Sequence, residues 1–427
     1  ETTQPMFPSR TLRRSNPKGS SNLIRTTESK PVDVVVLGAG FAGAAVALEL
    51  AASGLNVALV DRDARPLNRA HRRHVGKIEL GFNTPSTHAS DEIDHTVDAA
   101  LVFGDAMRNW LGHSPVTSLP FQYWIPAADQ ARAEEFAHRC QEVADTCVAR
   151  FDTAASHEYL GIRPDRLWQE TTTRNSGSQN AMRVFETEER AVDTDVLALQ
   201  LADRINDDPA IRFEGNVEIR DIEATPSGYR VQGERFGNRW SIDCATLVNA
   251  TQHNRAQLNR TLGVDAIEEW KQQLQVRLII RLPEGWNHLQ SVTMPIAPYG
   301  DLVIRRDGTA YLSWHPVEGR FSDHEIDALT RAKSDSDLCK QIAEQVLADY
   351  ALHLPGIESS AVLQIDCTHR LVPGDSGARK SRSGFQEHGA YYAVEPGTLT
   401  TGPYFGIQLA RQIARKLNAG ASQRRSA

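Results

Sequence analysis

The sequence predicts an α/β fold in which a parallel, helix-flanked sheet is interleaved with an α+β domain carrying an antiparallel sheet. Three observations predict it. Residues 33–61 run strand, glycine turn, helix, strand, acid; residues 211–251 form short alternating strands split by turn residues; residues 391–417 run strand, small-residue turn, helix. A length of 427 residues suits about two domains of large α/β type.

Composition removes several classes. Hydrophobic residues at 40% and charged residues at 24% give an ordinary globular balance, which excludes wholesale disorder, collagen and coiled coil. Lys and Arg number 47 against 54 Asp and Glu, a net charge of −7 that disfavours a nucleic-acid partner. The one long apolar stretch is broken by glycines and a glutamate, so no integral membrane segment is expected. The cysteines Cys140, Cys147, Cys244, Cys339 and Cys367 are odd in number and form no CxxC. That argues against a disulfide framework or a zinc site and for a reducing, cytoplasmic location, with buried inert thiols and no metal. Residues 1–30 read as a flexible arm and 418–427 as a flexible tail. Arg13-Arg14 lack the apolar stretch of an export signal.

The first motif is Asp33 to Leu37, then Gly38-Ala39-Gly40-Phe41-Ala42-Gly43, a helix over Ala44 to Ser53, and a second strand over Asn56 to Val60 ending in Asp61. Gly38 permits the tight turn, Gly40 lets the backbone approach a pyrophosphate, and Gly43 lets the helix pack on the strand. The N–H groups and dipole at the helix start favour phosphate. Asp61 lies 18 residues after Gly43, near the spacing of a ribose-binding acid, and Asp63 is the weaker choice. This is the Rossmann-like dinucleotide fingerprint in its full context.

The fingerprint does not separate FAD from a nicotinamide cofactor, but later segments do. The loop after Asp61 is basic, with Arg62, Arg65, Arg69, His71, Arg72, Arg73, His74 and Lys77 leading into Gly76 to Gly81. It reads either as a solvated charged loop or as one that crosses cofactor phosphates and reaches a redox ring, bringing in Arg62, His74, Gly76 and Lys77. The strand Cys244 to Thr251 delivers the small residues Ala250 and Thr251 where a ligand could approach the backbone. Gly397-Thr398-Leu399-Thr400-Thr401 precedes an amphipathic helix over Pro403 to Leu417, so a second helix N-terminus is aimed by a turn whose only bulky side chain is Leu399.

On these patches the chain resembles the D-amino acid oxidase-like (DAO) superfamily of FAD-dependent oxidoreductases, which includes glycine oxidase, sarcosine oxidase and glycerol-3-phosphate dehydrogenase. The resemblance spans about residues 33–417 and rests on VVVLGAGFAGAAVALELAASGLNVALVDRD, on VDTDVLALQLADRI with the strands after it and TLVNAT, and on THRLVPGDSGARKSRSGF with EPGTLTTGPYFGIQLAR. It implies FAD held non-covalently, with Gly38, Gly40 and Gly43 at its pyrophosphate, Asp61 at its ribose, Ile219 on the adenine side and Thr398 to Thr401 beside the ring. Gln252 departs from the glycine that usually follows Asn-Ala-Thr in the family. No residue stands out as a covalent flavin anchor, though His71 and His74 stay open.

The expected FAD-binding domain takes 31–100, 170–260 and 360–417; the expected substrate domain takes 101–169 and 261–359. Strands are expected at 274–282, 291–298, 301–306 and 310–315, with a hairpin turn at Asp307-Gly308. Arg370 is the first candidate for contacting substrate, by resemblance to an arginine that faces substrate in relatives; a structural pair with a neighbouring acid is the competing role. His315 is the leading base and His369 its rival. Tyr299 and Arg305 are weaker pocket residues, and Trp110, Tyr123 and Trp124 fit core packing best.

The favoured function is an FAD-dependent oxidoreductase, oxidase or dehydrogenase, that removes a hydride from a C–N or C–O bond of a small polar substrate. The alternatives are a nicotinamide-dependent dehydrogenase and a non-catalytic flavin-bound partner protein. Expected partners are a small-molecule substrate and either an electron-acceptor protein or a second copy of the chain.

Overall fold

The computed structural model describes residues 27–28, 32–69, 72, 74–83, 90–153, 158–171, 182–264, 270–286, 289–295, 300–305, 307–315, 336–373, 384–395 and 397–426. Val34 to Leu37 and Val57 to Val60 are buried throughout, and such runs are stable only inside a sheet covered on both faces. The strands Val32–Leu37 and Val57–Val60 lie parallel, with Val34 opposite Val57 and Leu37 opposite Val60. Ile211–Glu214 continues the sheet on one side, and the end of Asn238–Asn249 on the other. Tyr391–Glu395 adds in parallel to Leu247, Val248 and Asn249. The antiparallel strands Val217–Thr225, Gly228–Arg235 and Gly384–His388 help complete a nine-stranded sheet. Thr27–Glu28, inside the expected flexible arm, also joins it, pairing with Trp240 and Ser241. That stretch of Asn238–Asn249 precedes its pairing with Val32 and offers an open backbone edge.

Alternation divides the strand side chains between two cores. Val34, Val36, Val57 and Leu59 face the helices; Val35, Leu37, Ala58 and Val60 face Trp240, Ile242, Leu258 and Tyr391. On the helical face, Phe41–Ala52 packs along the C-terminal helix Thr401–Ser426. Close approach depends on Gly406, where a Cβ would come within 2.8 Å of Ala45 Cβ and 2.9 Å of the Ala42 carbonyl. The last helix does not stop at Leu417 but continues to Ser426. The residues after Leu417 include Ala419, Ala421, Gln423, Arg424 and Arg425, all good helix formers, and no proline interrupts them.

The second sheet has eight strands in the order Ala361–Pro373, Trp270–Arg281, Thr309–Trp314, Gly300–Ile304, Ser291–Met294, Phe121–Pro126, Met182–Thr187 and Trp168–Thr171. The expected hairpin is present: Arg305 N–H donates to the Thr309 carbonyl, and Gly308 has φ +77°. Leu274, Val276, Leu278 and Ile280 pack against the helix Asp337–Ala351. Ile279, Val303, Tyr311 and Phe121 form the opposite face, against Ala191 and Val75. The sequence groups 170–260 and 360–417 with the cofactor-binding segments. The structure instead places 170–171, 182–187 and 361–373 in this second sheet, because their backbones pair with strands from the middle of the chain.

All five cysteines are free and four are buried. Burial pushes the Cys147 and Cys244 thiols up to about 12, so neither is a thiolate at neutral pH. Trp110, Tyr123 and Trp124 are core residues. Among the described residues, no helix is long and apolar enough to cross a membrane. Substituting Gly406→Val should force the two helices apart and lower stability by about 1–3 kcal/mol, read as a fall in the urea midpoint at unchanged slope.

Candidate active site

The two helices Phe41–Ala52 and Thr401–Ser426 each follow a strand of the parallel set, so both begin at the carboxyl edge of that sheet. This is where open α/β sheets bind ligands. Gly38 has φ +92°, and a Cβ there would lie 2.6 Å from the Ala250 carbonyl oxygen. A Cβ on Gly43 would lie 1.9 Å from the Gly38 carbonyl oxygen. The turn is closed by Gly38 N–H donating to the Val60 carbonyl at 2.8 Å. Gly40 caps the helix with no side-chain hydrogen bond, and the first turn carries no acid. An N-terminus without a capping side chain or an acid suits an anion, so these residues fit the diphosphate of a dinucleotide. Gly38 to Gly43, including Ala39, Phe41 and Ala42, would hold it.

Asp61 stands one residue beyond Val57–Val60. Its Oδ2 accepts from Ala39 N–H at 2.7 Å and its Oδ1 from Asp63 N–H at 2.8 Å. Each oxygen keeps an acceptor position for a ribose hydroxyl. Burial pushes the Asp61 carboxyl above its ordinary range, opposed by those two backbone bonds. Burial would raise Asp63 too, but the hydrogen bonds from Arg69 outweigh it and hold its carboxyl below the usual range. Asp63 is thus occupied by Arg69, which leaves Asp61 as the ribose candidate. Arg62 is exposed to solvent. Val217 N–H donates to the Asp61 carbonyl, which brings the start of Val217–Thr225 alongside. Ile219 sits two residues further on, at a bulge, half-buried against the core.

Ala250 N–H donates to the Leu37 carbonyl at 2.8 Å, locking this segment beside the glycine turn. Asn249 is fully buried; its amide reaches Tyr391 Oη at 2.8 Å, and its oxygen accepts from Thr251 Oγ1 at 2.7 Å. Gln252 has φ +52°, the left-handed conformation that a glycine would adopt freely.

In the C-terminal turn, the Thr398 and Thr401 hydroxyls bond each other's backbone N–H groups and cap the last helix. Leu399 is buried, and Gly397 has φ +69°. Thr400 Oγ1 accepts from Glu79 N–H at 3.1 Å. Residues 77–80 therefore touch this turn on one side and the second sheet on the other.

The second contact is a buried polar cluster that the sequence did not reveal. Lys77 Nζ donates to Tyr123 Oη at 2.6 Å and Thr293 Oγ1 at 2.9 Å, and lies 3.2 Å from Glu189 Oε2. Glu189 is fully buried, and its Oε1 accepts from Leu80 N–H at 2.6 Å. Tyr123 Oη also donates to Glu189. Thr293 passes a hydrogen bond on to Asp301 at 2.7 Å. The Lys77 ammonium, expected to face a cofactor, is instead directed into the second sheet. Gly76 is tied by backbone bonding to Val192.

His74 accepts from Gly76 N–H at 3.1 Å and, with Asn68 and Arg72, lines a cleft against the second sheet. Arg305 lines the same cleft. His315 follows Trp314 at the end of its strand and is half-buried. His369 and Arg370 occupy strand positions opposite Leu274 and Gln273. The Arg370 and His369 side chains lie outside the described residues, as do His71 and Tyr299.

A dinucleotide cradle at the carboxyl edge of a parallel sheet, joined by residues 77–80 to an antiparallel sheet, defines a two-part oxidoreductase fold. A sequence profile of the DAO family, FAD-dependent oxidoreductases, matches residues 33–406, and the chain belongs to that family. FAD is therefore its cofactor. Glycine oxidase from Geobacillus kaustophilus is similar in structure, with 14% identity, a TM-score of 0.66, and coverage of 91% of this chain and 95% of that one. L-amino acid deaminase from Proteus vulgaris gives 14% identity, a TM-score of 0.66, and coverage of 91% and 94%. L-alpha-glycerophosphate oxidase from Mycoplasma pneumoniae, solved with FAD bound, gives 14% identity, a TM-score of 0.65, and coverage of 91% and 95%. No curated protein sequence matches the chain.

Removing one partner of the buried cluster should expose its cost. Lys77→Met should lower stability by about 3–5 kcal/mol, because Glu189 is left buried and unpaired. Lys77→Met combined with Glu189→Met should recover most of that loss in the same urea titration. Gln252→Gly should raise stability by about 0.5–1 kcal/mol by relieving the left-handed residue, less the flexibility glycine adds when unfolded.

Proposed function

We propose that this FAD-dependent oxidoreductase takes a hydride from a C–N or C–O bond of a small polar substrate and passes the electrons to oxygen or to another acceptor. The observation that carries the reading is the shared edge: an uncapped helix N-terminus, the Asp61 carboxylate and a second sheet meeting them through residues 77–80. Bound FAD supplies the two-electron acceptor. The chain supplies position, holding the diphosphate at Gly38 to Gly43 and the ribose at Asp61. Thr398 to Thr401 set the second helix start, and the second sheet holds the substrate and excludes water.

Arg370 is assigned to an acidic group of the substrate, whose two oxygens suit a guanidinium fork. His315 is the proton acceptor when the substrate is an alcohol, with His369 as the alternative. Arg62, His74, Gly76, Ile219, Ala250 and Thr251 belong to the cofactor's surroundings in this reading. Lys77 acts behind them, by fixing the strand on which the ring would rest. The free cysteines support a cytoplasmic setting. An acceptor protein or a second copy of the chain is the partner this chemistry admits.

The test is anaerobic mixing of the yellow protein with amines, amino acids and hydroxy acids. A substrate of the proposed class bleaches the oxidised-flavin absorbance; colour that survives the whole set sinks the reading. Arg370→Ala should cut kcat/KM for acidic substrates by about tenfold to a hundredfold, the worth of a charged hydrogen bond. Arg370→Lys should restore only part of it.

A further inference from the structure

The cleft between Asn68, Arg72 and His74 and the second sheet has a volume of about 360 Å³, enough for a small ligand. Its charge is unbalanced in a specific way. Arg277 lies on the sheet face opposite to Val276 and Leu278, and is only 5% exposed. Its Nη2 donates to Gln275 Oε1 at 2.7 Å, but its Nη1 is buried with no hydrogen-bond partner. Arg305, half-buried one residue past the strand Gly300–Ile304, makes no side-chain hydrogen bond among the described residues, and its charge acts on the Asp307 carboxylate. Two acids line the cleft. Asp195 is bound to Arg72 at 2.9 Å, and Asp366, opposite Arg277 in register, accepts from Gln364 at 2.8 Å. No hydrogen bond joins Arg277 to Asp366 among the described residues.

A buried guanidinium with an unsatisfied N–H is costly unless something accepts from it. A guanidinium fork matches the oxygens of a carboxylate or phosphate. Tyr311, buried and lining the same cleft, would help shield such a contact from water. We infer that this cleft binds a carboxylate or phosphate group, held by Arg277 and Arg305, at a place separate from the diphosphate cradle of the glycine turn. The group belongs either to the molecule being oxidised or to a free anion; the chemistry of capture is the same. The inference rests on the two guanidinia, and holds whichever bond the enzyme oxidises.

Isothermal titration of the FAD-loaded protein with inorganic phosphate, and separately with malonate, tests it. Loading the protein first fills the diphosphate cradle, so the added phosphate cannot bind there. One saturable site is expected, weakened at least tenfold in Arg305→Gln and further in Arg277→Gln. Arg230→Gln, in the exposed pair with Asp243, should leave it unchanged. If Arg277→Gln fails to fold, Arg305→Gln and Arg305→Lys decide, with lysine retaining part of the affinity. No saturable uptake, or uptake that both Arg305 variants leave unchanged, overturns the proposal. Flavin reduction by alanine against alaninamide, and by glycerol 3-phosphate against glycerol, then separates the sources. A preference for the anionic member that Arg305→Gln abolishes puts the anion on the substrate. Equal rates within each pair, with arginine-dependent phosphate binding intact, make it a separate ligand.

Discussion

A single buried ammonium holds the two halves of this molecule in relation to each other. Lys77 comes from the segment that follows Asp61, and its partners Tyr123 and Thr293 come from the second sheet. Taking a Lys–Glu pair out of water costs several kcal/mol, and the pair is tolerable only when nearly every proton and lone pair is matched. Here they are: Tyr123, Thr293 and Glu189 surround Nζ, and Leu80 N–H and Tyr123 satisfy Glu189. The Phe121 and Tyr123 rings lie 4.9 and 4.3 Å from Nζ, adding their faces to its solvation. Because each bond has a direction, the cluster fixes how residues 77–80 pass between the sheets, and with them the space left for cofactor and substrate.

The same segment carries that placement to the C-terminal turn. Glu79 N–H on Thr400 connects the loop of the first motif to the turn of the last, 321 residues away. Thr398 and Thr401 are occupied in capping their own helix, so the turn presents a preset backbone. Asp61 works similarly: it shapes the glycine turn through Ala39 while remaining able to receive hydroxyls. Rigid elements that hold each other in place lower the cost of ordering a ligand.

The glycine turn with its flanking strands, helix and Asp61 was legible in the sequence because its parts are neighbours. Strand, glycines, helix and acid fall within 29 residues, and each position has one physical requirement. The strands around Asp307-Gly308 were legible for the same local reason. The Lys77 cluster was not, because Tyr123 and Thr293 lie 46 and 216 residues from Lys77 and look like ordinary core positions. Arg277 was hidden differently: in LQVRLIIRL the apolar residues on both sides blur which face is which, and only the helix packed on Leu278 settles it. The assignment of 170–171, 182–187 and 361–373 to the second sheet depends on pairing partners far along the chain, which periodicity does not encode.

Strand Asn238–Asn249 begins antiparallel to Gly228–Arg235 and ends parallel to both Val32–Leu37 and Tyr391–Glu395. The parallel core thus gathers strands from near both ends of the chain. During synthesis the opening strand emerges long before its last companions exist, and it must wait, partly uncovered, for hundreds of residues. Such distant pairings make assembly slow and leave greasy surface open to mispairing in the interval. A nascent chain of this kind has reason to depend on chaperones at the ribosome exit.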